Sequence, residues 1–277
     1  MKGKPIEFDL NISPDEVWFG GTLLPLPRSL SPQSKIGAGA NGFVIRCQNV
    51  ILDRAEAVKF WVKLREGDTR DELKRGVEEA KKAASISSAR IAHVYSAGTV
   101  LDKYFYVSME YCEGKTLRDL LVRLPKSARA SNPFPHYQYR YNIAIEYPAV
   151  IQETAEYGLL HGDAHPGNVI VKVSPLKHGK RLREWPPTVN LKLLDFGTSI
   201  FNDKGSSVDR HWRIVDKTMD QILGTHDGYE DMKSEKPPRC EPERLIDFYR
   251  TVLLRLSYEY ANHKHPIPHK RPLKKPT

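Results

Sequence analysis

The chain has 277 residues, of which 40% are hydrophobic, and a formal net charge of +9. This size allows one or two hydrophobic cores without disulfides or structural metals. The three cysteines (Cys47, Cys112 and Cys240) are odd in number and widely separated, which argues against a disulfide framework or a cysteine-type zinc site. Such cysteine usage is typical of a reducing cytoplasm, where we expect the protein to be. Neither a signal peptide nor a stretch of membrane-spanning length is visible, so we expect a soluble protein with no membrane partner.

The excess positive charge is concentrated at the C-terminus. Residues 261–277 contain five lysines and arginines, four prolines and no acid. This composition opposes regular structure, so the tail is predicted to be disordered and solvated. Basic arms can also contact nucleic acid or anionic lipid, but no Phe, Tyr or Trp follows Tyr260 to stack on bases. We therefore expect no nucleic-acid partner, and the oligomeric state stays open.

The first part of the chain is predicted to form a lobe rich in strands. Residues 1–33 contain scattered prolines and are interpreted as an N-terminal extension lying on this lobe, which covers 34–111. One amphipathic helix is predicted at 70–87, between the second and third strands. Runs of β-branched and aromatic residues predict the strands themselves, at 43–47, 55–62, 94–100 and 104–109.

The second lobe, 112–260, is predicted to be mainly helical. Thr116 is expected to cap its first helix, and Pro148 is expected to kink or restart a long helical segment that runs towards Tyr157. After the motif at Asp195, the segment 209–223 is predicted to be the first large helix of this lobe. A start near Glu243 is the alternative, but it would leave too few residues for a full helical lobe to follow. The further predicted elements are helices at 117–124, 209–223 and 242–260 and strands at 169–173 and 189–194.

A glycine-rich pattern begins the part of the sequence that carries chemistry. Gly37, Gly39 and Gly42 fit G-x-G-x-x-G, which lets backbone amides approach phosphates. The residues from Phe43 to Ile45 are β-forming, whereas a dinucleotide fold requires a helix there. The chain also lacks a complete G-x-x-x-x-G-K-S/T pattern of a P-loop. A glycine-rich hairpin over a nucleotide is therefore predicted.

Lys59 lies inside an apolar strand, where its ammonium can reach nucleotide phosphates as a point charge. Such a lysine needs a carboxylate to hold it in place. Glu79 on the predicted helix is our candidate, with Glu78 as the alternative. The helix phase favours Glu79, because it adjoins Ala80 on the packed side.

Two polar motifs follow in the second lobe. The residues from His161 to Asn168 read His-Gly-Asp-Ala-His-Pro-Gly-Asn, and Asp195 precedes Phe196 and Gly197. Asp and Asn in either motif could be simple turn formers. Their occurrence together, after the glycine pattern and a strand lysine, indicates phosphoryl transfer instead.

On these motifs, from about residue 35 to residue 200, the chain resembles the protein-kinase-like superfamily. The resemblance implies an α+β, bilobal fold with an antiparallel β-sheet N-lobe and a reduced, mainly helical C-lobe. It also implies ATP and Mg²⁺ as cofactors, with Asn168 and Asp195 as metal ligands. Asp163 would accept or orient the proton of the acceptor hydroxyl, while Lys59 and Glu79 would position the phosphates.

The segment that joins the two lobes is expected to bind adenine through a backbone carbonyl and a backbone amide, at Glu110 and Cys112. The complete predicted nucleotide-binding set is Ile36, Gly37, Gly39, Gly42, Val44, Ala57, Lys59, Met109, Glu110 and Cys112.

The catalytic motif departs from Ser/Thr protein kinases at two positions. Gly162 stands where these usually have Arg, and His165 where they usually have Lys, which is more similar to aminoglycoside and choline phosphotransferases. Gly162 has no side chain to pair with a phosphorylated loop, so we expect activity without loop phosphorylation. The basic segment 172–183 is interpreted as an insertion near the site.

The predicted function is ATP-dependent transfer of the γ-phosphate to a hydroxyl, with a protein Ser/Thr side chain as the preferred acceptor. The alternative is a small-molecule phosphotransferase similar to aminoglycoside and choline kinases. A nucleotide-binding pseudokinase scaffold is the third hypothesis. It is disfavoured because the chain retains every predicted catalytic and metal-binding side chain: Lys59, Glu79, Asp163, Asn168 and Asp195.

Overall fold

The computed structural model describes residues 10–39, 42–62, 77–78, 80–102, 104–123, 134–173, 189–195, 200–201, 206–224, 227–238 and 242–262. Within these ranges the chain forms two lobes, each around its own cluster of buried side chains. Some predicted features lie outside the described residues: Glu79, Phe196, Gly197, the insertion beyond residue 173 and the tail from residue 263.

The N-terminal segment forms a small antiparallel sheet, which the sequence analysis did not predict. Its strands are β1 (Leu10–Ile12), β2 (Val17–Phe19) and β3 (Thr22–Leu23). Val17 is buried in the same cluster as Phe43, and the ring of Phe19 lies 5.4 Å from the ring of Phe43. The apolar side chains of this segment therefore pack on the first lobe.

The first lobe is built on a five-stranded antiparallel sheet. Its strands are β4 (Leu30–Gly39), β5 (Gly42–Asn49), β6 (Arg54–Trp61), β7 (Val94–Val100) and β8 (Tyr104–Glu110), in the order β4-β5-β6-β8-β7. The last four confirm the strands predicted from the β-branched and aromatic runs. Phe43 and Phe60 stack on one face of the sheet, with ring centroids 5.1 Å apart, and close the core of this lobe.

The helix predicted at 70–87 is described in part, because residues 77, 78 and 80–84 are helical. Ala80 packs with Trp61, Phe105 and Val107 on the other face of the sheet. Small side chains on the packed side of the helix therefore let it approach the strands closely.

The second lobe is mainly helical. Thr116 accepts a hydrogen bond from the backbone N–H of Asp119 at 3.1 Å, which confirms the predicted helix cap. The strands are β9 (Lys115–Thr116), β10 (Leu159–Leu160), β11 (Val169–Val173), β12 (Val189–Leu193) and β13 (Ile200–Phe201). The helices are α1 (Leu117–Arg123), α2 (Phe134–Glu156), α3 (Ser206–Leu223), α4 (Asp227–Met232) and α5 (Pro242–Asn262).

Pro148 was predicted to kink or restart this helix. No restart occurs, because α2 continues through this residue for 23 residues in all, and the kink stays a prediction. An internal proline costs about 3 kcal/mol through its missing N–H and its clash with the preceding turn. Tyr147, Val150 and Ile151 are almost completely buried beside it. Each such side chain stabilises the packed helix by about 1.5–3 kcal/mol, so burial outweighs the proline penalty.

A buried polar cluster fixes α3 against the C-terminal part of the lobe. Asp216, which is completely buried, pairs with Lys236 and accepts a hydrogen bond from Tyr249 Oη at 2.7 Å. Lys236 Nζ also lies 2.9 Å from Asp220 Oδ1. A buried carboxylate with such partners holds its helix in one orientation.

In the described part of the chain, no helix is both long enough and apolar enough to cross a membrane.

Candidate active site

One face of the five-stranded sheet carries several of the predicted nucleotide-binding side chains. Val44 on β5 pairs with Lys59 on β6, and Ala57 on β6 pairs with Met109 on β8. Paired residues of neighbouring strands share a face, as do residues two apart on one strand. These four side chains therefore lie together, on the face opposite the stacked ring of Phe43.

The glycine pattern lies in the β4–β5 hairpin. Gly37 pairs with Val44, and Gly39 pairs with Gly42. Gly42 has a φ of +142°, and a Cβ at this position would lie 1.8 Å from the backbone oxygen of Phe60. Only glycine fits there, so the hairpin folds closely onto β6. Ile36 lies at a register shift in β4 and is 47% exposed.

The two lobes meet through an ion pair between Lys59 and Asp195. Lys59 is buried, and its Nζ donates to Asp195 Oδ1 at 2.8 Å. The ring centroid of Trp61 lies 4.4 Å from the same ammonium. The backbone of Asp195 has a φ of +62°, a left-handed conformation that is uncommon outside glycine and concentrates at functional sites.

Glu78, the alternative partner of Lys59, instead lies on the exposed surface. Its Oε1 accepts a hydrogen bond from Lys81 Nζ at 3.2 Å, and about half of its side chain is accessible. The pairing of Lys59 with Glu79 stays a prediction.

The predicted metal ligands are brought together by strand pairing. Val169 pairs with Leu193 on the antiparallel strands β11 and β12. One residue further, the backbone N–H of Leu194 donates to the Asn168 carbonyl at 2.8 Å. Asn168 and Asp195 therefore lie side by side at the same end of these strands.

Asp163 lies beside Asn168 at the same end of these strands. The Asn168 amide donates through Nδ2 to the Asp163 backbone oxygen at 3.0 Å and lies 3.5 Å from its Oδ2. Desolvation raises the pKa of Asp163, and the nearby charge of Asp195 adds to this, while His165 and Arg210 oppose it. His165 Nε2 and Arg210 Nη2 each lie 3.8 Å from the carboxylate. Asp163 is thus a desolvated carboxylate between positive or polar neighbours, which suits a proton acceptor.

Two buried histidines position the predicted catalytic motif, His161 to Asn168. His161 Nε2 lies 2.9 Å from the Leu194 carbonyl, and its Nδ1 accepts from the Asp163 N–H at 3.2 Å. His211 on α3 accepts from the Gly162 N–H through Nδ1 at 3.1 Å. Burial lowers the pKa of each histidine to about 4, so both are neutral near pH 7.

The sequence analysis missed several residues that contact this motif, among them Tyr147, Arg210 and His211. Tyr147 is buried in α2 and donates to the Ala164 carbonyl at 2.5 Å. A buried tyrosine hydroxyl or imidazole needs a partner, but the sequence does not say which one. Arg210 lies on a charged helix face and leaves no signal in the sequence.

The predicted adenine-binding groups lie at the end of β8, at Glu110, and in the segment that follows it, at Cys112. Glu110 donates its backbone N–H to His93 O at 2.8 Å, and Lys192 Nζ binds both of its carboxylate oxygens. Cys112 Sγ lies 3.7 Å from the Glu110 carbonyl, and burial raises the pKa of this thiol to about 12. The side chain of Glu110 thereby fastens the joining segment to β12.

The donor set fits a magnesium nucleotide. Amide and carboxylate oxygens, as in Asn168 and Asp195, are ligands that Mg²⁺ prefers, and it usually completes its shell with phosphate oxygens and water. Among the described residues, no group of three or more His, Cys, Asp or Glu side chains has metal-binding geometry. An amide and a carboxylate would leave most of such a shell to phosphate oxygens and water.

Comparison with known proteins agrees with this geometry. The family model described as protein kinase domain matches residues 30–227. The serine/threonine-protein kinase PrkC of Bacillus subtilis is 27% identical over 136 residues, which cover 49% of this chain and 19% of PrkC. The serine/threonine-protein kinase PknL of Mycobacterium tuberculosis is 30% identical over 141 residues, which cover 50% of this chain and 32% of PknL.

A solved crystal structure of a kinase domain has a TM-score of 0.52 to this chain, with 16% identity. That match covers 74% of this chain and 66% of the solved one, and it shows likeness of fold alone. The match with each named relative spans a third or less of the relative's length. Both the α+β, bilobal fold and the superfamily predicted from the motifs are confirmed. Since the family model covers well over half of the chain, this protein belongs to the protein kinase domain family.

Proposed function

We propose that the protein transfers the γ-phosphate of ATP to a hydroxyl group, with Ser or Thr of a protein as the acceptor. The observation that carries this proposal is the convergence of Lys59, Asp195, Asn168 and Asp163 on one cleft between the lobes. In particular, Lys59 Nζ reaches Asp195 Oδ1 at 2.8 Å across the lobe boundary. The names of the relatives, which are serine/threonine-protein kinases, support the choice of acceptor.

Each group has a distinct role in this proposal. Lys59, with Glu79, positions the α- and β-phosphates, and the β4–β5 hairpin offers its backbone amides to them. Asn168 and Asp195 hold magnesium, which neutralises phosphate charge when bound. Asp163 orients the acceptor hydroxyl and accepts its proton.

The transfer itself exchanges one P–O bond for another. The acceptor oxygen forms a bond to the γ-phosphorus, while the bond from the γ-phosphorus to the bridging oxygen breaks. The electron pair of the broken bond leaves with ADP, and the hydroxyl proton moves to Asp163. These residues act through position and charge, because the transition state spreads its charge over phosphoryl oxygens.

A small-molecule acceptor is the second candidate. Only ten residues separate Asp195 from Ser206, where α3 begins. Such a short connection leaves little chain to form a docking surface for a protein substrate.

The proposal is tested by replacing Asp163 with Asn. Purified protein is incubated with Mg²⁺ and ATP labelled at the γ-phosphate, together with a protein mixture, with aminoglycosides or with sugars. Wild type should label protein, and Asp163→Asn should reduce the rate by about a hundredfold or more if the carboxylate is a general base. Asp247→Asn, an exposed position on α5, is the control and should keep the wild-type rate.

Other outcomes of this experiment decide between the hypotheses. Label on a small molecule would favour the second candidate, and nucleotide binding without turnover would favour a scaffold. A near-normal rate for Asp163→Asn would remove the general-base role.

We also propose a reducing, cytoplasmic location. Cys47 is buried and Cys112 is half-buried, and both are free thiols in the described part of the chain. Free thiols persist where glutathione and thioredoxin keep them reduced.

A further inference from the structure

The catalytic motif carries no permanent positive charge of its own. The residues from His161 to Asn168 include no Lys or Arg, and His165 is charged only when protonated. An incoming phosphoryl group would nevertheless meet two carboxylates there, Asp163 and Asp195, whose charges influence each other. Lys59 is already paired with Asp195. A further cation near Asp163 would relieve this repulsion.

Helix α3 places Arg210 at this point. Its Nη2 lies 3.8 Å from Asp163 Oδ1, and about half of its side chain is exposed. A single long contact with an exposed guanidinium adds little to folding stability. Because this contact is weak, the guanidinium can exchange Asp163 for a stronger anionic partner at little cost. The guanidinium of Arg118 lies at the other end of the motif, against Gly167.

His211, the residue after Arg210, holds this part of α3 against the motif. His211 is completely buried, and its Nδ1 accepts the Gly162 N–H at 3.1 Å. Further along the helix, Asp216 is fixed by Lys236 and Tyr249. The backbone at Arg210 is thus anchored one residue away from a direct contact with the motif, and only its side chain is left to move.

The reach of the guanidinium follows from the geometry of transfer. An acceptor oxygen must lie about 2.6–3.2 Å from Asp163 to give up its proton. The phosphorus then lies about 3–3.5 Å beyond that oxygen in a reactive complex. A guanidinium already 3.8 Å from the same carboxylate needs only a side-chain rotation to reach the phosphoryl oxygens. Its planar fork of N–H donors matches such oxygens.

We propose that Arg210 is a further catalytic residue, whose guanidinium binds the γ-phosphoryl oxygens during transfer. The inference rests on the proposed phosphotransferase function and names the cation that this site uses. Arg210 keeps its protons throughout, while the bonds change as described above and Asp163 takes the hydroxyl proton. Its contribution is to stabilise charge on the phosphoryl group.

The first test measures kcat and KM for ATP in three variants. Arg210→Ala should lower kcat by about a hundredfold or more, since an arginine supplied within the chain to a phosphoryl group contributes at least that much. KM for ATP should change little, because the α- and β-phosphates are held elsewhere. Arg210→Lys should recover part of the rate, as it keeps the charge without the fork. Arg213→Ala, exposed on the same helix, is the matched control.

The second test does not depend on finding the acceptor. Binding of ADP and Mg²⁺ is measured with and without aluminium fluoride, which mimics a transferring phosphoryl group. In the wild type and in Arg213→Ala, the fluoride should tighten ADP binding, and Arg210→Ala should reduce that tightening by at least about tenfold. ADP binding without fluoride should stay unchanged in all three proteins.

The outcomes separate this inference from the proposed function. Wild-type protein that labels no acceptor would count against the proposed function. The fluoride experiment would still test whether Arg210 binds the phosphoryl group. Equal fluoride tightening in wild type and Arg210→Ala would overturn the inference. A rise in KM for an acidic acceptor with kcat unchanged would also overturn it, because Arg210 would then bind the acceptor instead.

Discussion

At the scale of single residues, two neutral imidazoles hold the catalytic motif in place. His161 joins the motif to the end of β12, and His211 joins it to α3. Both act as hydrogen-bond acceptors through Nδ1, which is available only while the ring is unprotonated. Protonation of either ring would therefore break a contact to the backbone around Asp163.

This predicts a loss of stability on acidification. The pKa of His211 is about 4 in the folded protein, against 6.5 ordinarily. The unfolded chain therefore takes up the proton first, so this contribution to stability is complete above the ordinary pKa and is lost as the pH falls towards 4. His211→Asn keeps an acceptor but does not titrate. Between about pH 7 and pH 5, its free energy of unfolding should fall by about 2 kcal/mol less than that of wild type.

Urea unfolding at the two pH values measures the difference. His93→Asn replaces an exposed histidine and is the control, which should follow the wild type. Parallel losses in wild type and His211→Asn would show that the buried imidazole does not control this pH dependence.

At the scale of elements, the β4–β5 hairpin owes its close approach to β6 to one glycine. Gly42→Ala would place a Cβ 1.8 Å from the Phe60 oxygen in a backbone conformation with a φ of +142°. Both the clash and the strain are expected to lower the free energy of unfolding by more than about 2 kcal/mol. Chemical denaturation measures this change.

Gly37 on the same hairpin offers a matched comparison. A Cβ there meets nothing within 4 Å, and its φ lies outside the left-handed region. Gly37→Ala should therefore change the free energy of unfolding by less than about 1 kcal/mol. If both variants lost the same stability, the close approach at Gly42 would not be the cause.

The elements also show where local sequence suffices. The strands β5 to β8 were predicted because runs of β-branched and aromatic residues fit the pleated, half-buried surface of a sheet. The three N-terminal strands were missed, since each has only two or three residues, too few to show a period. The helix does not restart at Pro148, because the local proline penalty is smaller than the stabilisation that comes from burying the side chains around it.

At the scale of the whole molecule, the connection between the cleft and α3 is short. Residues 196–205 join Asp195 to the start of α3. Gly162 has no side chain that could bind a phosphate on this connection. The polar groups of the cleft are also already in contact, as Lys59 and Asp195 show. We therefore expect the contact between Lys59 and Asp195 to form without phosphorylation of this connection.

We expect activity to survive dephosphorylation. Protein treated with a phosphatase, with removal of phosphate verified by mass spectrometry, should keep its kcat within about twofold, because Gly162 has no side chain that could pair with a phosphate. Mock-treated protein is the control. A large loss of kcat that returns after incubation with ATP would contradict this expectation.

The sequence by itself determined the types of reacting groups and the local elements that carry them. Motif residues such as Asp163 and Asn168 are close in the chain, and strands and helices follow from periodicity and propensity, which are local properties. Only the tertiary structure decided which distant side chains surround Asp163. Arg210 and His211 reach it because the packing of α3 places them there, and such contacts depend on burial and orientation of whole elements.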